Sequence, residues 1–240
     1  GNDLVYSYLP SYRLTDHVER LRILSTGAAD AIGNTLDNTF YAGDGDNVLN
    51  GGAGNDTVSY AYATAAVDVR LTTTAFQSTG SSGSDRLINI ENLAGSSFND
   101  RLSGNDAANE LAGGNGNDTL NGGLGNDTLS GGGGSDTIRF DTLLNALTNR
   151  DTITEFNVVA DTIELENAIF GSLTSTGTLA AGSFRSGAGV AAADADDFIL
   201  YDSASGALLY DADGNGAGAA VPFATLGGGL ALSSADFLVT

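Results

Sequence analysis

The chain contains no cysteine, no lysine and a single histidine, His17. Without cysteine there is no disulfide, no iron–sulfur cluster and no thiolate zinc site. One histidine cannot build a two-histidine metal centre, and without lysine there is no phosphate-binding P-loop. Nine arginines against 30 acidic residues leave a formal charge of −21. That inventory cannot furnish the basic face a nucleic acid requires, and anionic lipid repels it. Proline is nearly missing, at two residues, which excludes collagen-like and proline-rich linker sequence. No run of 18 apolar residues occurs, so no segment reads as a membrane-spanning helix. The G-x-S-x-G and G-x-G-x-x-G signatures are also missing. His17 lies in the polar stretch Asp16-His17-Val18-Glu19 and reads as an exposed surface residue. Carboxylates are abundant enough for a glycosidase-like pair, but a repeat accounts for most of them. The expectation is a chain with no catalytic residue, not an enzyme by itself. It begins Gly1-Asn2-Asp3 without a signal peptide, which reads as a start inside a longer protein.

What is present is glycine. There are 34 glycines alongside 41% hydrophobic residues, a combination that fits tight turns between short buried strands. The glycines are periodic. Gly113-Gly114-Asn115-Gly116-Asn117-Asp118-Thr119-Leu120-Asn121 is followed in phase by Gly122-Gly123-Leu124-Gly125-Asn126-Asp127-Thr128-Leu129-Ser130. Gly131-Gly132-Gly133-Gly134-Ser135-Asp136-Thr137-Ile138-Arg139 comes next. The pattern is G-G-x-G-x-D-x-U-x, with U a large apolar residue, a nonapeptide associated with calcium-binding parallel β-helices. Upstream in the same phase, position six is Asn109, Asp100 and Glu91, and position eight is Leu111, Leu102 and Leu93. A separate block gives Asn38, Asn47 and Asp56 at position six, with Phe40, Leu49 and Val58 at position eight. Between the blocks, about Ser59 to Ser84 is out of period. There Val67, Val69 and Leu71 alternate with Asp68 and Arg70, and Gly83-Ser84-Asp85-Arg86-Leu87 restarts the phase. Asn2-Asp3-Leu4-Val5 and Val18-Glu19-Arg20-Leu21 read as degenerate copies.

The spacing implies a geometry. Six residues turn and three make a short strand whose single large apolar side chain points inward. Two repeats close a coil of 18 residues, and coils stack at about 4.8 Å. Asp100, Asp118 and Asp136 then fall on one edge, Asn109 and Asp127 on the other. Two carboxylates about 5 Å apart, at an effective dielectric of about 20, repel by roughly 3 kcal/mol, so such a ladder calls for cations. Calcium takes 6–8 oxygen ligands in flexible geometry, including the carbonyls that glycine turns expose, whereas zinc prefers the histidine and cysteine this chain lacks. A lone Gly-Asn-Asp is an ordinary turn, but consecutive copies in strict phase point to calcium.

At these residues the chain resembles the repeats-in-toxin proteins of bacterial type I export, most specifically over Glu91–Arg139 and Asn34–Ser59. The resemblance implies a right-handed parallel β-roll, all-β, with an antiparallel β cap. It implies calcium held between coils by turn carbonyls and by Asp118, Asp127 and Asp136. Their glycines are Gly113, Gly114, Gly116, Gly122, Gly123, Gly125, Gly131, Gly132 and Gly134. Asp56, with Gly52 and Gly54, and Asp100 follow. Asn38, Asn47, Asn109 and Glu91 depart from the pattern, so sites there are weaker or empty. The expected organisation is 1–59 degenerate roll, 60–84 inserted β segment, 85–139 calcium-binding roll, and 140–240 cap with a secretion-signal region. Asp151–Phe156 and Asp161–Leu165 resemble the capping segment, and the ending Asp236-Phe237-Leu238-Val239-Thr240 resembles an uncleaved type I signal. Implied partners are several calcium ions, the type I secretion machinery and an upstream domain of the same protein, with location outside a bacterial cell.

The residues leave two other readings open. One is a surface-layer or filament subunit; the other is a polysaccharide-binding module beside an upstream enzyme, for which Tyr60, Tyr62 and Phe76 would be the exposed aromatics. Phe198–Asp202 and Ala207–Asp211, joined through Ser205-Gly206, read as a hairpin. Asp211-Ala212-Asp213-Gly214-Asn215-Gly216 matches the first half of an EF-hand loop, but its twelfth position is Pro222 instead of glutamate, which excludes a full EF-hand; a hairpin turn from Tyr210 to Val221 is the expectation, with an incidental calcium contact as the alternative.

Overall fold

The computed structural model describes Gly1 to Thr240, and it is all-β, with no α-helix. Strands are numbered along the chain. One face is a 12-stranded sheet in the order β1 (Leu4–Ser7), β3 (Arg20–Ile23), β5 (Thr39–Tyr41), β7 (Thr57–Ser59), β11 (Asn92–Ala94), β13 (Glu110–Asn115), β15 (Thr128–Gly133), β17 (Asp151–Thr154), β23 (Val221–Thr225), β22 (Ala207–Tyr210), β21 (Ile199–Asp202) and β20 (Phe184–Gly187). The opposite face is split. Its first part holds β2 (Ser11–Arg13), β4 (Asp30–Ile32), β6 (Val48–Asn50), β10 (Ser84–Ile88) and β9 (Gln77–Ser78). Its second part holds β8 (Asp68–Arg70), β12 (Arg101–Ser103), β14 (Thr119–Asn121), β16 (Thr137–Phe140), β18 (Thr162–Leu165), β24 (Phe237–Val239) and β19 (Gly177–Thr178).

Within the repeats the stacking is parallel and follows the nonapeptide phase. Leu93 lies opposite Leu111 and Leu111 opposite Leu129, while Leu102 lies opposite Leu120 and Leu120 opposite Ile138. These eighth-position residues form two inward columns, and all are almost fully buried. Each buried leucine contributes roughly 1.5–3 kcal/mol of apolar transfer free energy, so the columns hold the coils together. Most roll strands are three residues long because each repeat returns to its glycine turn, and only β13 and β15 run on into theirs. The degenerate copies near the N-terminus also form coils, with Val5 opposite Leu21 and Leu21 opposite Phe40.

The out-of-period stretch supplies β8, whose Val69 is fully buried opposite Leu102. The chain then returns so that β10 continues the first part of the split face, with Leu87 opposite Leu49. The split is anchored by Tyr60, which the exposed-aromatic reading had placed on the surface. Tyr60 is instead fully buried, and its hydroxyl donates to Asp85 Oδ2 at 3.0 Å. Its neighbours in that reading, Tyr62 and Phe76, are exposed.

After Arg139 the same faces continue. Ile153 covers Leu129, and Ile163 covers Ile138. The expected hairpin forms, with β21 antiparallel to β22, and β23 follows antiparallel with Val221 opposite Tyr210. Phe140, Phe170 and Phe223 meet edge to face at centroid distances of 5.1 and 5.2 Å, which gives this end a thicker core than the roll. The final strand β24 buries Phe237 and Val239 and runs parallel to β18.

Candidate metal centre

The sixth-position carboxylates form two ladders through the turns. Asp118 Oδ1 accepts from the Asp100 amide at 2.7 Å, Asp136 Oδ1 from the Asp118 amide at 2.9 Å, and Asp161 Oδ1 from the Asp136 amide at 3.0 Å. On the other edge Asp127 Oδ1 accepts from the Asn109 amide at 2.7 Å, and Asp151 Oδ1 from the Asp127 amide at 3.0 Å. Asp56 makes the same bond to the Asn38 amide at 2.7 Å. One oxygen of each carboxylate thus joins a coil to the one before it.

The second oxygen divides the turns into two kinds. The buried Oδ2 atoms of Asp56, Asp118, Asp127 and Asp136 have no hydrogen-bond partner, nor does Asn47 Oδ1 at the equivalent position. A buried, unpaired carboxylate oxygen is costly unless a charge of opposite sign meets it. Each of these four aspartates follows a Gly-Gly-x-Gly turn. In each, the second-position glycine has a left-handed φ: 102° at Gly52, 113° at Gly114, 94° at Gly123 and 96° at Gly132. At the first position a Cβ on Gly51, Gly113, Gly122 or Gly131 would fall on that Oδ2, so only glycine fits. Carbonyl groups approach from the preceding coil. Ser96 O and Phe98 O lie against Gly114 and Gly116, Gly114 O and Gly116 O against Gly132 and Gly134, and Asn105 O and Ala107 O against Gly123 and Gly125.

The other turns are closed by the chain itself. At Asp100 the second position is Ser96, whose amide and hydroxyl both donate to the Asp100 carboxylate, the hydroxyl at 2.8 Å to Oδ1. The Asn105 amide donates to Asn109 Oδ1 at 2.8 Å, the Asn34 amide to Asn38 Oδ1 at 2.9 Å, and the Asn157 amide to Asp161 Oδ2 at 2.8 Å. Each second-position side chain then accepts from the amide two residues on, as Asn105 does from Ala107 at 2.8 Å. Asp85 is closed differently, by the hydroxyls of Tyr60 and Thr79 on Oδ2. Glu91 occupies a ladder rung, accepting from the Asp56 amide at 2.8 Å.

Burial is the main cause of raised carboxyl pKa values at the open turns. It pushes Asp118 to about 7, with Asp100 and Asp136 adding repulsion, and Asp56 and Asp127 to about 6. Asp136 is raised for the same reason, and Asp151 reaches about 7. No three carboxylate or histidine side chains converge on one point. Each open turn therefore offers one free carboxylate oxygen and a set of backbone carbonyls. That is a hard, all-oxygen donor set suited to calcium.

Reading the sequence brought Asp56, Asp118, Asp127 and Asp136 to equivalent places, whereas Asp100 shares their ladder but not their free oxygen. Asp151 ends the ladder that carries Asp127, and Asp161 ends the ladder that carries Asp118 and Asp136, as its D-x-U spacing in Asp161-Thr162-Ile163 signals. Asp141 stands on neither ladder and pairs with Arg139 at 3.1 Å. A further ladder runs through position five: the Asn117 amide donates to Asn99 Oδ1 at 2.8 Å, and the Ser135 amide to Asn117 Oδ1 at 2.9 Å. Its signal was the recurring asparagine at position five.

The family model for the RTX calcium-binding nonapeptide repeat matches in four copies, over residues 32–60, 89–120 and 103–138. No curated protein matches the chain. Among solved structures, the extracellular lipase LipA from Serratia marcescens aligns at 16% identity with a TM-score of 0.26, covering 94% of this chain and 41% of the lipase. The chain thus spans well under half the length of that enzyme. Residues 32–60 and 89–138 are RTX calcium-binding nonapeptide repeats.

Proposed function

We propose that this chain is a calcium-loaded folding module of a larger exported bacterial protein, without catalytic activity of its own. The observation that carries the reading is the set of four buried, unpaired Oδ2 atoms on Asp56, Asp118, Asp127 and Asp136. In the metal-free chain those oxygens, the raised pKa values and the charge of −21 all oppose folding. Calcium at the four open turns removes the opposition. Ligand that binds only the native state stabilises it by about 4 kcal/mol at a thousandfold excess over the dissociation constant. A chain held unfolded where calcium is scarce, and folding where it is millimolar, suits export through a type I system. Far-ultraviolet circular dichroism in chelator and then in millimolar calcium tests this. A β spectrum should appear only with calcium, and a complete β spectrum in chelator would sink the proposal.

A second reading, polysaccharide binding, is favoured by one observation. Tyr6 and Tyr8 are 56% and 75% exposed on the first coil, whereas one face of the Tyr62 ring is covered by the Arg22 guanidinium at 3.4 Å. Exposed rings can stack on sugars. Loss of retardation of the Tyr6→Ala, Tyr8→Ala double variant in polysaccharide affinity gels would support it, and no retardation of the parent chain would exclude it.

A further inference from the structure

The half-motif Asp211-Ala212-Asp213-Gly214-Asn215-Gly216 lies in the turn between β22 and β23, far along the chain from any nonapeptide. Asp211 is only 6% exposed, yet the one donor near its carboxylate is the Asp213 amide at 3.4 Å from Oδ1, the long limit of a hydrogen bond. Its Oδ2 receives no donor, and its close polar neighbour is another carboxylate, Asp213. Burial, and then that contact, raise the Asp211 pKa. Two carboxylates in contact repel one another, and a proton or a cation between them relieves that repulsion.

The loop is folded around this pair. Gly214 takes a left-handed φ of 59°. The Gly218 amide donates to Asp213 Oδ2 at 3.0 Å, leaving Asp213 Oδ1 free. The Asn215 side chain donates its nitrogen to Ala193 O at 3.2 Å, and its backbone amide donates to Asp194 O at 2.9 Å. That docks the loop on the turn 193–197, where the Asp194 and Asp196 carboxylates also touch one another. Side-chain oxygens at the first, third and fifth places with glycine at the sixth are the leading half of a calcium loop. The sequence lacks the glutamate that completes an EF-hand, but in the structure a second acidic turn stands beside the loop.

We propose that the Asp211–Gly216 loop is a separate calcium site in the cap, with Asp211, Asp213 and Asn215 as side-chain ligands. The site is independent of the roll, since it shares no residue with the glycine turns. Terbium, which replaces calcium at oxygen sites and is excited through nearby tyrosine, is the probe; Tyr210 immediately precedes Asp211. In the full chain, Asp213→Asn should remove one ion per chain from a calcium titration while the roll's calcium-dependent circular dichroism change persists. Tyr210→Phe should leave the ion count unchanged and remove the same share of terbium emission that Asp213→Asn removes. If Asp213→Asn fails to fold, Asn215→Ala, at an exposed position, should lower terbium affinity for that share at least threefold. An unchanged ion count in Asp213→Asn, or unchanged emission in Tyr210→Phe or Asn215→Ala, overturns the site. Asp118→Ala, which weakens the roll, should leave the Tyr210-dependent emission in place, so failure of one reading is separable from failure of the other.

Discussion

At the residue scale, the second position of each repeat decides what its aspartate can do. Glycine there takes a left-handed φ and leaves Oδ2 free, as at Asp118. Serine or asparagine turns its amide onto the sixth-position side chain, as at Asp100 and Asn109. Replacing Ser96 and Phe98 together by glycine should therefore open the Asp100 turn and add an ion to the stoichiometry measured by calorimetric titration; an unchanged count would refute this role for the second position. Asp118 is joined to the coils on both sides, through Oδ1 to the Asp100 amide and through its own amide to Asp136. Asp118→Ala should cost about 1.5–3 kcal/mol for the charged hydrogen bond alone, and raise the calcium midpoint about tenfold or more. Asp68→Ala is the control. Asp68 is half-exposed and pairs only with Arg70 at 3.4 Å, so its loss should change stability by less than about 1 kcal/mol. Equal shifts in the two variants would show the register to be wrong.

At the scale of the element, three-residue strands cannot stand alone and are held by the coils above and below. The strand columns were legible because one apolar residue per nine can form a core only by pointing inward. The Leu93–Leu111–Leu129 column and the Asp118–Asp136 rung follow from that period alone. Less legible were β2 and β4, whose inward residues are Tyr12 and Ala31 with no Gly-Gly-x-Gly turn to mark them. The path through 60–84 was also hidden, because β8 pairs 33 residues ahead in sequence, Val69 with Leu102, while β10 reaches back to β6. Beyond Arg139, β17 and β18 supply both the apolar cover over Leu129 and Ile138 and the last carboxylate rungs, Asp151 and Asp161. Without them the final coil would expose its apolar column and an unpaired strand edge. A chain truncated after Arg139 should consequently fail to fold as a soluble monomer at the parent's calcium midpoint, by circular dichroism and light scattering. Folding of the truncated roll at that midpoint would mean the cap is dispensable.

At the scale of the whole molecule, the open-turn aspartates and the terminal rung Asp151 titrate in the same direction. Their folded pKa values lie above the ordinary value near 3.8, with Asp118 and Asp151 at about 7 and Asp56 and Asp127 at about 6. A raised folded pKa means the protonated carboxyl is favoured by folding. Its stabilisation is present below about pH 4 and is lost as pH rises through 6 to 7. The calcium-free chain should therefore melt higher at pH 5 than at pH 8. Calcium displaces those protons, so its folding midpoint should rise as pH falls below 7. Thermal melts in the absence of calcium and calcium titrations at both pH values check the pair; a calcium-free chain more stable at pH 8 would contradict the burial that raises these groups.

The sequence by itself determined the coil. The nine-residue period, the glycines that only a left-handed turn explains, and the aspartate two places before each inward leucine can be satisfied together in few ways, and calcium follows from the oxygen chemistry of that repeat. Which aspartates keep a free oxygen was decided in three dimensions, because it turns on whether the amide at Gly114 or at Ser96 faces the carboxylate. The burial of Tyr60 was also a tertiary outcome: its hydroxyl stands opposite Asp85, 25 residues away, and satisfies an oxygen that other turns leave open. So was the meeting of the Asp211 loop with the turn at Asp194. A local repeat specifies contacts at a fixed separation, and these contacts have none.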